Sequence, residues 1–242
     1  MSLDGSGTEA GAQVPVPKPL AYQRVRVIRT HKGCHARWER LDELKLGKDC
    51  SGGAQAAAVF VCPSRVVPRP WLGFGGSFTE ASTETLRKMS DASRAEVIKA
   101  CFDAETGLGY NLGRVAIGSC DFGLGNWTCG DLVEDDAELR GFSIERYRAS
   151  ILPTLHAAFQ VAGAPLTLLA SPWSPPPWMK TKRQFHGDAH LRLECYAAWA
   201  HHFVRFVQEM SREGVPIWAV SVQNEPEAAQ IWESCIYTAE EE

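Results

Sequence analysis

The sequence predicts an α/β fold of parallel strands joined by helices, and three observations point to it. From Trp71 onward short apolar runs alternate with longer segments of helical period, the pattern of repeated βα units. The apolar runs lack polar alternation, as strands covered on both faces do. Polar residues gather just past the end of each run, where a parallel α/β sheet assembles its sites.

Taken in chain order, residues 1–20 are rich in Gly and Pro and read as a disordered lead-in with too few apolar side chains for a core. Residues 21–70 form an N-terminal β segment. Arg24 to Arg29 alternates polar and apolar residues like a half-buried strand, and Ala56 to Val61 is a second short strand. Residues 71–242 carry the βα repeat. Its strands are expected around Trp71 to Phe74, at Leu112 to Ile117, at Leu166 to Ala170 and at Ile217 to Val222.

Two intervening helices show an apolar stripe. In one, Ile144, Tyr147, Ile151, Leu152, Leu155 and Phe159 recur at steps of three and four behind Ser143, which suits an N-cap. In the other, Tyr196, Trp199, Phe203, Phe206, Val207 and Met210 do the same, and Gly214 follows as a stop. These aromatics read as core. His186, His190, His201 and His202 fit no motif and read as surface or helix residues.

Periodicity alone leaves an open doubly wound sheet and a closed barrel both possible. The segment Gly73-Phe74-Gly75-Gly76-Ser77-Phe78 lacks the third glycine of a dinucleotide turn, and Glu80 follows where a phosphate would sit, so nucleotide binding is not expected. The net charge of −4 is scattered, with 25 basic and 29 acidic residues, and offers no basic face to nucleic acid. No run approaches the ~20 apolar residues of a membrane span, and no signal peptide is visible. The eight cysteines include no C-x-x-C pair, so neither a zinc site nor any other metal or cofactor is expected; most read as small buried hydrophobes. Asn126-Trp127-Thr128 matches the N-glycosylation triplet, which matters only in a secreted chain.

Four polar clusters follow the strands: Gly75 to Glu80, Ser119 to Phe122, Ser171 to Trp178, and Gln223-Asn224-Glu225-Pro226. The last sets a carboxylate directly after a buried strand. Glycoside hydrolysis needs a carboxyl kept protonated by burial to protonate the departing oxygen, and in retaining enzymes a second one ~5–5.5 Å away to attack the sugar. The bland alternative for Glu225 is an acid at a helix N-terminus. Trp173 and Trp178, in a proline-stiffened loop, offer sugar-binding faces, and Glu80 and Asp121 offer acceptors for hydroxyls.

Four segments taken together resemble glycoside hydrolase family 30, of the glucosylceramidase-like kind: Gly73-Phe74-Gly75-Gly76-Ser77-Phe78-Thr79-Glu80; Gly109 to Val115 running to Ser119-Cys120-Asp121-Phe122; Leu168 to Pro175 with Trp178-Met179-Lys180-Thr181; and Val222 to Pro226. The resemblance implies a (β/α)8 TIM barrel with a side β-domain, here truncated to about the first four βα units and carrying the N-terminal strands of that side domain. It implies that Glu225 is the general acid/base, that Asn224 contacts the sugar 2-hydroxyl, that Glu80 holds hydroxyls on the far side of the glycone, and that Trp173 walls the pocket. Asp121 either binds substrate or forms a structural ion pair with Arg114, and Trp232, with Tyr237, either lines the aglycone side or sits in an incidental loop.

The implied activity is retaining hydrolysis of glucosylceramide or a related β-glucoside, with a carbohydrate or glycolipid as partner and a secreted or lysosomal location. The alternatives are an endo-β-1,6-glucanase, a β-xylosidase or β-fucosidase, and, from another class, a non-catalytic carbohydrate-binding pseudoenzyme. The nucleophile is expected on a later strand, in the C-terminal half of the barrel. The 242-residue chain therefore reads as an inactive fragment, and Tyr237 to Glu242 as the start of a further helix.

Overall fold

The computed structural model describes residues 24–33, 39–45 and 69–242. The lead-in at 1–20, the strand expected at Ala56 to Val61, and Cys34, Cys50 and Cys62 lie outside the described residues. The chain divides into two compact units, Met1–Pro70 and Trp71–Glu242.

In the first unit the alternating segment forms two short strands, β1 (Arg24–Val25) and β2 (Ile28–Arg29). They pair antiparallel with β4 (Leu44–Lys45) and β3 (Glu39–Arg40) respectively. The expected half-buried strand is thereby corrected, because Val25, Ile28 and Leu44 are all exposed. Two-residue pairs bury little and bring few apolar neighbours together.

The second unit is built on a parallel sheet in the order β5 (Gly75–Phe78), β6 (Leu112–Ile117), β7 (Thr167–Pro172), β9 (Ile217–Val220). Spatial order follows chain order without reversal. A closed βα barrel accumulates strands in this way, whereas a doubly wound sheet reverses at a switch point. Of the predicted strands, β6 has the expected bounds, and Val115, Ala116 and Ile117 are buried.

The first strand is displaced from expectation. It starts at Gly75, and Trp71, Leu72 and Phe74 remain exposed as its lead-in. The side chain of Asn111 pins that lead-in, accepting from Phe74 N at 3.2 Å and donating to Leu72 O at 2.8 Å. Gly75 then runs so close to its neighbour that a Cβ there would fall 1.8 Å from the carbonyl oxygen of Leu112. The strand needs glycine where apolarity was sought. The fourth strand, expected buried on both faces, is half open. Trp218, Val220 and Val222 are exposed while Ile217 and Ala219 between them are half-buried, so only one face of this segment is covered.

Between β5 and β6 lie α1 (Glu80–Arg87), opened by a reciprocal Thr79–Ser82 capping box, and α2 (Asp91–Phe102), capped by Ser90. The stripe behind Ser143 forms two helices, α3 (Glu145–Ala149) and α4 (Ile151–Ala162). They part at Ser150, whose backbone leaves the helical region at φ −132°. Pro153 has no N–H for the carbonyl of Ala149, and it is tolerated only in the first turn of a new helix. The N-cap expected at Ser143 is corrected: Ile144 occupies that position with no side-chain cap, and Ser143 Oγ only accepts from Glu145 N, two residues on, at 3.2 Å.

Ile144, Tyr147, Ile151, Leu152 and Leu155 are all buried, each contributing roughly 1.5–3 kcal/mol by leaving water. Helix α5 (Tyr196–Arg212) buries Trp199, His202, Phe206 and Met210 along one face and ends before Gly214, at φ +74°. His202 is fully buried between Phe142 and Trp199, with neither ring nitrogen hydrogen-bonded.

A small antiparallel pair, β8 (His186–Gly187) with β10 (Gln230–Glu233), joins the loop after β7 to the loop after β9. The five described cysteines are free. Thr238 to Glu242 form a turn in which Thr238 and Glu241 exchange hydrogen bonds in a capping-box pattern, rather than a helix.

Candidate active site

The C-terminal ends of β5, β6, β7 and β9 enclose a cleft of about 520 Å³. Of the residues singled out in the sequence, Asp121, Trp173, Asn224 and Glu225 line it together. Two others do not. Glu80 turns into the protein, and Trp232, on β10, packs behind the cleft wall against Ala116, Cys120 and Trp173. Tyr237 is buried away from the cleft, against Leu191 and Trp199.

Glu80 is where the structure departs most from the reading of the sequence. The residue is 6 % exposed, and its carboxylate binds Arg146 Nε at 2.6 Å and Leu124 N at 2.8 Å. Burial works to raise its pKa, but the bonds from Arg146 and Leu124 prevail and hold it below the usual carboxylate range. Arg146 in turn stacks on Trp127 at 4.9 Å, and Ala81 N reaches Phe122 O at 2.9 Å. The first turn of α1 thus clamps the loop after β6, and Glu80 is not among the residues that line the cleft.

The cleft's centre is Arg114 on β6. Its guanidinium lies over the Trp173 ring at 4.5 Å and donates from Nη2 to Ser171 Oγ and Asn224 Oδ1, each at 2.9 Å. A guanidinium only donates, so the amide of Asn224 is fixed with its oxygen on Arg114 and its NH2 free for other partners. No ion pair joins Arg114 to Asp121 among the described residues. In the sequence Arg114 enters only as the alternative ion-pair partner of Asp121; its bonds to Ser171 and Asn224 and its stacking on Trp173 depend on the fold.

The end of β9 is held by its backbone and by one buried amide. Asn224 N donates to Pro172 O at 2.9 Å, and Gln223 Nε2 donates to Trp173 O at 2.7 Å and Asn224 O at 2.9 Å. Glu225 follows with φ +50°, a left-handed conformation that costs a non-glycine residue of order 1–3 kcal/mol and persists only where surroundings impose it. Its side chain is exposed, contrary to the burial beside aromatics expected from the sequence, and Oε2 accepts from Gln230 Nε2 at 3.1 Å.

Two further groups escaped sequence reasoning. Cys120 lines the cleft, and burial raises its thiol to about 11, so it stays protonated near neutrality. Ser119 donates to the buried carboxylate of Glu233 and accepts from Trp127 N at 2.8 Å, linking the loops after β6 and β9. Among the described residues no group of three His, Cys, Asp or Glu side chains is arranged to hold a metal ion. No described helix is long and apolar enough to cross a membrane.

Comparison with known proteins places these features in context. The family model described as the glycosyl hydrolase family 30 TIM-barrel domain matches residues 72–241. A putative glucosylceramidase 3 of Caenorhabditis elegans is 33% identical over 176 residues, covering 70% of this chain and 33% of the relative. The lysosomal acid glucosylceramidase of Mus musculus is 32% identical over 161 residues, covering 64% and 31%. Among solved structures, SrfJ from Salmonella typhimurium superposes with a TM-score of 0.66 at 40% identity, covering 70% of this chain and 37% of that one. An endo-β1,6-glucanase superposes with 0.64 at 30% identity, covering 70% and 38%. The chain spans about a third of the length of the curated relatives it matches.

Proposed function

The chain belongs to glycosyl hydrolase family 30, and from that premise we propose that it is the acid/base half of a retaining β-glycosidase acting on β-glucosides of the glucosylceramide kind. The observation that carries this reading is the cleft in which Asn224 and Glu225, at the end of β9, face Trp173 and Arg114. In the first step Glu225 protonates the glycosidic oxygen as the bond to the sugar breaks; in the second it takes a proton from water. The NH2 of Asn224 supplies a donor to the 2-hydroxyl, a contact that strengthens as charge develops on the ring. Trp173 offers an apolar face to the sugar, and the carboxylate of Asp121 accepts from a hydroxyl.

A retaining reaction also needs a carboxylate nucleophile. The family places it on a later strand, so the 242-residue chain alone is expected to bind sugar without turning it over. The secreted or lysosomal setting and the glycolipid partner belong to the same proposal, and they rest on the glucosylceramidases among the relatives. One observation favours a second substrate, a β-1,6-glucan: the structural likeness to the endo-β1,6-glucanase at 30% identity.

Calorimetric titration separates these readings. Methyl β-D-glucoside should bind the chain, and Trp173→Ala or Asn224→Ala should weaken that binding about tenfold, as expected for one lost stacking or hydrogen-bonding contact of ~1.4 kcal/mol. Binding of the β-1,6-linked disaccharide at least tenfold tighter than the monosaccharide would favour the glucan. Absence of binding by either sugar sinks the assignment.

A further inference from the structure

One ionisable group in this unit is buried without a carboxylate in contact and is unused by the chemistry above. Lys180, in the Trp178-Met179-Lys180-Thr181 stretch, is 0% exposed. Its ammonium donates to three neutral oxygens: Ser174 Oγ at 2.9 Å, Phe185 O at 2.8 Å and Ser234 O at 2.6 Å. Burial pulls it down to about 8, with Cys235 and Glu233 the nearby groups that oppose the shift, so it is charged at neutral pH.

Sequestering a cation costs several kcal/mol, which three hydrogen bonds to neutral oxygens go to offset, so a core position held this way is better explained by what it organises than by net stability. What it organises is the β8–β10 pair. Phe185 O accepts from Ser234 N at 3.0 Å as well as from Lys180. Ser234 Oγ donates to Gly187 O at 2.8 Å and accepts from Gln230 N at 3.3 Å, and Gln230 sits opposite Gly187 in the register. Gln230 then reaches Glu225 Oε2 with its side-chain amide, 3.1 Å away.

We infer that Lys180 and Gln230 are positioning residues for the acid/base carboxyl, forming a relay from the buried ammonium through Ser234 and the β10 backbone to Glu225. The bond from Gln230 occupies one lone pair on Oε2 and leaves both lone pairs of Oε1 free to carry and deliver the proton. Glu225 stands exposed on a strained backbone, and Gln230 is its one side-chain hydrogen-bond partner among the described residues. Without it the carboxyl would sample several rotamers, most of them unproductive. The inference rests on the acid/base reading of Glu225.

The test needs no turnover. An N-bromoacetyl β-D-glucosylamine places an electrophilic carbon where the glycosidic oxygen would lie. A nearby carboxylate displaces bromide, forming a C–O ester bond as the C–Br bond breaks, and peptide mass spectrometry locates the ester. The maximal rate of labelling and the half-saturating concentration are measured separately at pH 6. Labelling of Glu225 is expected in the parent chain. Gln230→Leu, at a partly exposed site, should lower the maximal rate about tenfold with half-saturation unchanged. Lys180→Met should do the same, and the double variant should fall no further than the worse single, because both act on one relay.

Gln230→Leu labelling within twofold of the parent overturns the relay while leaving the acid/base reading intact. So does a double variant whose losses multiply, or a change confined to half-saturation. If Lys180→Met fails to fold, Gln230→Leu alone decides by the same split. Parent chain that binds methyl β-D-glucoside yet leaves Glu225 unlabelled overturns both the relay and the acid/base assignment.

Discussion

The carboxylates that follow the two outer strands of the sheet, Glu80 after β5 and Glu225 after β9, meet opposite surroundings. Glu80 is buried, with Arg146 and a backbone N–H on its oxygens, and it fastens the loop after β6 to α1. Glu225 is exposed, held by a single neutral amide, on a backbone twisted into the left-handed region. Both sit in the same kind of sequence context, an acid just past a strand end. Their roles diverge because of the donors each meets: a buried carboxylate held by a guanidinium and a backbone N–H is structural, whereas an exposed one at a cleft with a single amide partner can exchange protons.

The largest expected effect breaks this comparison if it fails. Glu80→Ala leaves Arg146 without its carboxylate and Leu124 N without its acceptor, and should cost about 3 kcal/mol in urea denaturation, toward the low end for a broken buried pair because Arg146 is 39% exposed. Glu225→Ala should change stability by no more than about 0.5 kcal/mol, as surface substitutions do. The reverse ranking would mean that the two roles have been exchanged.

A second prediction probes why β5 can deliver Glu80 at all. Gly75→Ala puts a methyl group against the Leu112 carbonyl and should cost about 2 kcal/mol, as overpacked sites do. Gly76→Ala, with nothing within 4 Å of the new carbon, should be near neutral. Equal costs at the two positions would argue against the tight β5–β6 register.

The third sharpens the contrast by adding a buried group with no partner. Burial lowers His202 from 6.5 to about 3, with Arg205 adding a smaller push in the same direction. Folded His202 therefore stays neutral while the unfolded chain takes up a proton below pH 6.5, so stability falls as the solution is acidified from 6.5 toward 3. Between pH 6 and 5 the loss should be about 1 kcal/mol, and His202→Leu should abolish that slope. Glu80 behaves differently, since its pKa is depressed. Its contribution is complete above about 4.5 and is lost only as the pH drops through its lower folded value. A slope that survives in His202→Leu would place the acid sensitivity elsewhere.

Much of the fold was legible where one force acts alone. Leu112 to Ile117 reads as a strand because its neighbours bury it, and the stripe from Tyr196 to Met210 reads as a helix because its period is that of one packed face. The first strand was misplaced because it is built from glycines that let backbones approach, a constraint that apolarity does not express. The split at Ser150 was announced by Pro153 but masked by the regular apolar spacing on both sides. In the cleft, motif residues such as Trp173 and Asn224 were visible as types in order. Arg114 and Gln230 were not, because their parts depend on partners 110 and 5 residues away that only the folded chain brings to them.

The bond from Arg114 to Asn224 has a chemical corollary for what the cleft can accept. A guanidinium has no lone pair to offer, so the Asn224 amide cannot flip, and the group it turns toward a bound ring is always an N–H. A ring with oxygen at its second carbon answers that N–H. A 2-deoxy ring leaves it bare, and a 2-amino ring, protonated near neutrality, sets cation against donor. On the proposed reading, β6 and β9 together select for an oxygen at that carbon through the orientation of one side chain.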